Sequence, residues 1–230
     1  MSALLHDTRL AGAYSIAEWD AMERARDRKY EWWDGRLLDW HDMAGANLPH
    51  NRIVRNLLTA ADRRLLDVDG PCEVFLSDLA VYIPLASRYR YPDASILCGA
   101  PQHDPRQPRA LTNPSVLVEA TSATSEATDR VVTPTEYRHI PSLRYYVIIS
   151  QYFACVEVHH LSGDPGAFSV RVSDGLDAVA ELPELGLGLP LGEVYRGVDL
   201  DAQAEAYRTE VLGEFDGDDG GDGAPVASTG

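Results

Sequence analysis

The stretch Tyr91-Pro92-Asp93-Ala94-Ser95-Ile96-Leu97-Cys98, answered downstream by Ser115-Val116-Leu117-Val118-Glu119-Ala120, decides how the rest of this chain is read. Both are short apolar runs rich in β-branched residues. Gly99-Ala100-Pro101 closes the first, and Asn113-Pro114 opens the second. Runs of this kind between breakers read as buried strands. Each carries one carboxylate at or near a strand end, Asp93 and Glu119, with no Lys or Arg directly beside it. Two carboxylates converging from neighbouring strands form a hard-oxygen pair suited to Mg²⁺ or Mn²⁺.

Outward from this pair, a Thr/Ser-rich loop leads to Asp129-Arg130 and then to Thr133-Pro134-Thr135-Glu136-Tyr137. The last segment reads as a helix start, with Thr133 as N-cap, Pro134 in the first turn and Glu136 completing a capping box. On the other side, residues 45–66 repeat apolar side chains at helical spacing, through Ile53, Val54, Leu57, Leu58, Ala61 and Leu65. His50 opens that helix. A lone His at this spacing is more often a hydrogen-bonded structural residue than a ligand. Ser15-Ile16-Ala17-Glu18 is a capping box for a helix running to about Arg26. Two short strands about Asp34-Gly35 follow, with Glu31 in the first. Further strands are expected at 73–77, 79–84, 143–150, 153–161 and 168–172, with a loop from Ala100 to Asn113 bordering a cleft. Helices before and between strands of a mixed sheet make an α/β (α+β) layered core.

The chain has 230 residues, 45% of them apolar and 24% charged, which suits one domain with a real core, here residues 1–212. Residues 213–230 are rich in Gly and Asp and read as a disordered acidic tail. Cys72, Cys98 and Cys155 lie singly in apolar surroundings and are expected to be reduced core residues, with no zinc spacing among them. No stretch is long and apolar enough for a membrane span, and the N-terminus lacks the pattern of a signal peptide, so a cytoplasmic protein is expected. The net charge of −16 opposes a dedicated nucleic-acid surface, because phosphate binding usually needs a basic footprint. Leaving out Glu214, Asp216, Asp218, Asp219 and Asp222 reduces it to −11. Arg88, Arg90, Arg106 and Arg109 either surround the candidate site or decorate a solvated loop.

The order Pro92-Asp93, then Val118-Glu119 at the end of an apolar strand, then Asp129-Arg130 and the tail Tyr137-Arg138-His139-Ile140-Pro141-Ser142-Leu143-Arg144-Tyr145-Tyr146 resembles a bacterial family of restriction endonucleases. This is the Uma-two family, formerly a domain of unknown function and assigned to the PD-(D/E)xK nuclease superfamily. The likeness takes in Lys29 to Gly35, His50 and Ser77-Asp78-Leu79-Ala80-Val81, and spans roughly residues 14 to 200. It implies a restriction-endonuclease-like mixed sheet flanked by helices. It also implies Mg²⁺ or Mn²⁺ on Asp93 and Glu119, with Asp78 as a further ligand and His50 and Glu31 as second-rank members of the catalytic site. DNA is the implied substrate, and a homodimer is left open.

The resemblance also exposes a departure. The superfamily's lysine falls two residues after the Glu, where this chain has Thr121, and the family's own lysine falls four residues before the Tyr, where it has Thr133. Arg130 or Arg138 could supply the cation, but a guanidinium stays protonated and cannot serve as a base. Three functions are therefore carried forward. The first is a Mg²⁺-dependent endonuclease weakened at Thr133. The second is a catalytically inactive relative that binds nucleic acid or a protein partner. The third is a structural domain, which an Arg ion pair on Asp93 or Glu119 would favour.

Overall fold

In a computed structural model of the chain, residues 9–10, 13–26, 29–39, 47–68, 70–122, 125–126, 128–162, 168–210 and 212–213 are described. The acidic stretch from Glu214 onward, Trp40 and residues 45–46 of the expected helix lie outside them.

In chain order the elements are β1 (Arg9–Leu10), α1 (Ile16–Arg26), β2 (Tyr30–Trp33), β3 (Arg36–Asp39), α2 (Leu48–Asp67), β4 (Cys72–Leu76), β5 (Ala80–Ile83) and β6 (Arg88–Arg90). There follow β7 (Ala94–Cys98), β8 (His103–Asp104), β9 (Gln107–Leu111), β10 (Val116–Thr121), a π-helical turn at Thr128–Val132 and α3 (Thr133–Tyr137). The chain continues through β11 (Tyr145–Ser150), β12 (Cys155–Leu161), β13 (Phe168–Asp174), β14 (Val179–Leu182), β15 (Leu187–Pro190), α4 (Leu191–Val194) and α5 (Leu200–Glu210).

The central sheet has the order β13-β12-β11-β10-β7-β4, antiparallel except for the parallel pair β10–β11. Alternation along β10 divides its side chains between two cores. Val116, Val118 and Ala120 face α2 through Ile53, Leu57, Ala61 and Leu65. Leu117, with Tyr146 and Ile148 of β11, faces the other way and packs on Val81, Ile83 and Tyr137. Val81 and Ile83 belong to a second sheet, ordered β1-β3-β2-β6-β5-β9-β8, so Glu119 lies on the face that this sheet overlooks.

α1 starts as its capping box requires. The Glu18 N–H donates to Ser15 Oγ at 3.2 Å, and the Ser15 N–H donates back to Glu18 Oε2 at 2.8 Å. α2 begins with Asn47, whose Oδ1 accepts the His50 N–H at 3.0 Å, so His50 sits inside the first turn.

Three expectations change. Cys72 and Cys98 are opposite each other on β4 and β7 and form a disulfide; Cys155 is the free cysteine among the described residues. Solitary spacing in sequence said nothing of this cross-strand register. The expected loop from Ala100 to Asn113 contains β8 and β9. Thr133 does not cap a helix: Val132 before it is already helical, at φ −79° and ψ −51°, and the π turn runs directly into α3. The proline remains compatible because the carbonyl five residues earlier, Asp129 O, takes the Tyr146 hydroxyl at 3.1 Å in place of the N–H that Pro134 lacks.

Candidate active site

The register Ala94↔Val118 on β7 and β10 brings Asp93, one residue before β7, alongside Glu119. Backbone and side chain interlock there. The Asp93 N–H donates to Glu119 Oε2 at 3.3 Å, and the Ala120 N–H donates to Asp93 Oδ2 at 2.8 Å. The His50 ring Nε2 lies 3.1 Å from Asp93 Oδ1, so the N-terminus of α2 closes one side. On the other side, the Tyr137 hydroxyl of α3 donates to Glu119 Oε1 at 2.9 Å. The two expected metal ligands therefore meet on adjacent strands, and no arginine or lysine forms an ion pair with either among the described residues.

A third carboxylate, Asp129 on the π turn, is buried beside them. Burial pushes its pKa up to about 6, assisted by the Asp93 and Glu31 charges and opposed by a Ser125 hydrogen bond and Arg90. Glu119 is pushed well above the ordinary carboxylate range, first by burial and then by repulsion from Asp93 and Asp129, against the pull of Arg90 and Tyr137. Burial alone would lower the His50 pKa, but its hydrogen bond to Asp93 and that residue's charge leave it raised. Desolvated like charges of this kind bind protons until a cation arrives.

Glu31 is buried in the same neighbourhood and differently neutralised. Arg88 Nη2 donates to its Oε2 at 2.7 Å and Arg90 Nε to its Oε1 at 3.0 Å. Burial would raise its pKa, but the two guanidiniums lower it. Arg90 Nη1 also donates to Thr133 Oγ1 at 2.6 Å, and its guanidinium lies over the Tyr137 ring. The α3 position where the resemblance places a lysine is thus a buried hydroxyl bonded to an arginine from β6.

Asp78 does not join the cluster. It stands in the β4–β5 turn with its side chain 80% exposed and pairs with Lys29. Arg130 pairs with Glu126 and Glu157, so it is not the missing cation. Of the four arginines, Arg88 and Arg90 are buried against Glu31, whereas Arg106 is held by Asp104 and Arg109 by Asp20 and Glu23. From sequence, Arg90 was one of four arginines left between the site and a solvated loop, and Asp129 and Tyr137 were not counted as site residues. The alternation Arg88-Tyr89-Arg90 was a usable signal, since period two puts both guanidiniums on one face.

Among the described residues, no group of three or more His, Cys, Asp and Glu is arranged as a ready-made metal cage. Asp93 and Glu119 nevertheless fit Mg²⁺, which commonly takes one or two protein carboxylates and completes its shell with water and substrate phosphates.

Mixed sheets with flanking helices and an acidic pair on adjacent strands define a restriction-endonuclease-like α+β fold. A crystal structure of a putative nuclease belonging to DUF820 from Anabaena variabilis superposes with a TM-score of 0.58 at 14% identity, covering 79% of this chain and 97% of that one. Two Synechocystis proteins named as uncharacterized are similar in sequence. One, sll1609, is 32% identical over 65% of this chain and 82% of its own length; the other, slr1290, is 31% identical over 79% and 89%. The family model described as "Putative restriction endonuclease", Uma2, matches residues 16–192, and the chain belongs to that family. No helix among the described residues is long and apolar enough to cross a membrane.

Proposed function

We propose that this protein is a divalent-metal-dependent endonuclease that hydrolyses DNA phosphodiester bonds slowly, with Asp93 and Glu119 as the metal ligands. The observation that supports it is the meeting of two carboxylates, Glu119 buried and Asp93 nearly so, without an ion-paired arginine. Mg²⁺ or Mn²⁺ bound there would neutralise charge on the phosphate and lower the pKa of an attacking water. His50 fixes the Asp93 carboxylate, and Tyr137 fixes Glu119. Arg90 presents fixed positive charge next to the pair and takes no proton from water. Asp78 has no part in this reading, and Glu31 acts only by holding Arg88 and Arg90.

One observation favours the second reading, a binding module without catalysis: the cation beside the site is a guanidinium already occupied by Glu31 and Thr133. Calorimetric titration with Mg²⁺ and Mn²⁺, run beside a plasmid-nicking assay, separates the two. The enzyme reading expects metal binding and slow nicking, both lost in Asp93→Ala. A folded wild type that binds neither ion nor nicks DNA would sink it.

A further inference from the structure

The central sheet loses its cover abruptly at one edge. β12 keeps Val156, Val158, His159 and Leu161 buried, but in its neighbour β13 Ser173 is the one buried residue of seven. Phe168, Val170 and Val172 alternate along β13 and are 52%, 46% and 58% exposed. They stand opposite Leu161, His159 and Glu157, and so form an apolar ridge on the face that Leu161 shares with Tyr137 of α3. Ser169 and Arg171, on the reverse face, are exposed as well. Among the described residues β13 pairs with β12 alone, so the N–H and C=O groups along its outer side meet no strand. Such edges are normally blunted by proline, lysine or a bulge. Phe168–Asp174 contains no proline or lysine, and its register with β12 runs unbroken over all seven residues. The opposite edge, β4, is better protected: it packs Cys72 and Val74 on the core and carries an exposed Glu73 between them.

We propose that β13 is a self-association edge, onto which the β13 of a second copy adds antiparallel, so that one sheet runs through two molecules. The proposal is independent of the nuclease reading. It commits to a second copy because the strand is complementary to itself. Antiparallel pairing about a two-fold axis centred on Val170 sets Val170 opposite its equivalent, Phe168 opposite Val172 and Ser169 opposite Arg171. The apolar ridge then continues from one copy to the other, and no charge stands opposite a like charge. Centring on Arg171 would oppose two guanidiniums and set Phe168 against Asp174, which is unfavourable on both counts. An axis between two residues would lay the ridge of one copy beside the polar face of the other. Net charge points to the same edge. At −16 two copies repel one another, whereas residues 168–172 hold Arg171 as their single charge, so the edge is a place where copies can meet. The added ladder satisfies the open backbone groups and covers the ridge.

The test follows the full chain by analytical ultracentrifugation from about 1 to about 500 µM, the range in which a small interface associates. The wild type is expected to pass from monomer to dimer. Val170→Lys opposes two ammonium groups across the axis and should weaken association by about 100-fold or more, with an unchanged circular dichroism spectrum. Val170→Cys gives a second reading. With oxidised glutathione as the electron acceptor it should link two copies through one disulfide. Val172→Cys, whose equivalents stand four residues out of register, should not. The wild type, with Cys155 free, is the control for linkage elsewhere. A wild type that stays monomeric throughout overturns the proposal. So does a dimer that Val170→Lys leaves intact, since its interface then lies elsewhere. Linkage through Val172→Cys but not through Val170→Cys overturns the self-pairing register. Should Val170→Lys fail to fold, the two cysteine variants decide.

Discussion

Two groups of acids flank Arg90 in this protein and are treated in opposite ways. Glu31 is held between Arg88 and Arg90, and its pKa is lowered. Asp93, Glu119 and Asp129 crowd together with a histidine and a tyrosine for company, and the pKa values of Glu119 and Asp129 are raised. A buried carboxylate with its cations in place stabilises a scaffold, and it costs several kcal/mol if one partner is removed. A buried carboxylate without them destabilises the fold near neutral pH and gains from any cation that arrives. The first group is built to stay as it is; on the function proposed above, the second takes a metal.

The largest effect should come from removing the ligand group. Asp93→Ala is expected to abolish calorimetric Mg²⁺ binding and reduce nicking to background; Mg²⁺ binding that survives it would place the metal elsewhere.

Next in size is the scaffold pair. Glu31→Gln should cost about 3–5 kcal/mol in urea denaturation, because two guanidiniums stay buried without their carboxylate. A loss below ~1 kcal/mol would mean that Glu31 is not the structural acid described here. Thr133→Lys belongs with it. The hydroxyl is buried against Arg90, so an ammonium there would meet a like charge, and Thr133→Lys with Pro134→Ala is expected to lower the melting temperature rather than restore cleavage. Faster nicking by that double variant would contradict this.

Asp129→Asn should act in the opposite direction. A carboxyl whose pKa is raised to about 6 on folding contributes stability that is fully present below its unfolded pKa of ~3.9. That contribution is lost as pH rises through about 6. At neutral pH the charge therefore costs about 2–3 kcal/mol, at ~1.4 kcal/mol per pKa unit. Asp129→Asn should recover much of this at pH 7.5 and little at pH 4, read by chemical denaturation at both. Equal effects at the two pH values would remove the electrostatic explanation.

The smallest expected change within the comparison is at His50. His50→Gln keeps a hydrogen-bonding group near Asp93 and should weaken Mg²⁺ binding by about 10–100-fold, the usual cost of losing a group that orients a ligand. An unchanged affinity would leave His50 as a packing residue only.

Much of this was legible in the sequence. The two apolar runs, the amphipathic face of α2 and the capping box of α1 each depend on spacing within a few residues, and spacing is what a sequence records. The pairing of Asp93 with Glu119 was also within reach, because each sits at or near the end of a short strand. What stayed hidden depended on which strand lies beside which. Cys72 and Cys98 are 26 residues apart and become partners only through the β4–β7 register. Arg90 reaches Thr133 across 43 residues, and Glu31 meets both arginines because β2 and β6 are neighbours in a second sheet that local pattern did not predict. Thr133 shows the limit most plainly. Thr-Pro-x-Glu is a helix start by every local rule, yet here a π turn precedes it and Tyr146 serves the carbonyl that the proline leaves open. The sequence singled out Asp93 and Glu119, at or near strand ends, but also Asp78, which lies apart from them, and it passed over Asp129. Tertiary structure alone decided which are neutralised and which remain open to a cation, because charge pairing in a buried site depends on distance in space rather than on separation along the chain.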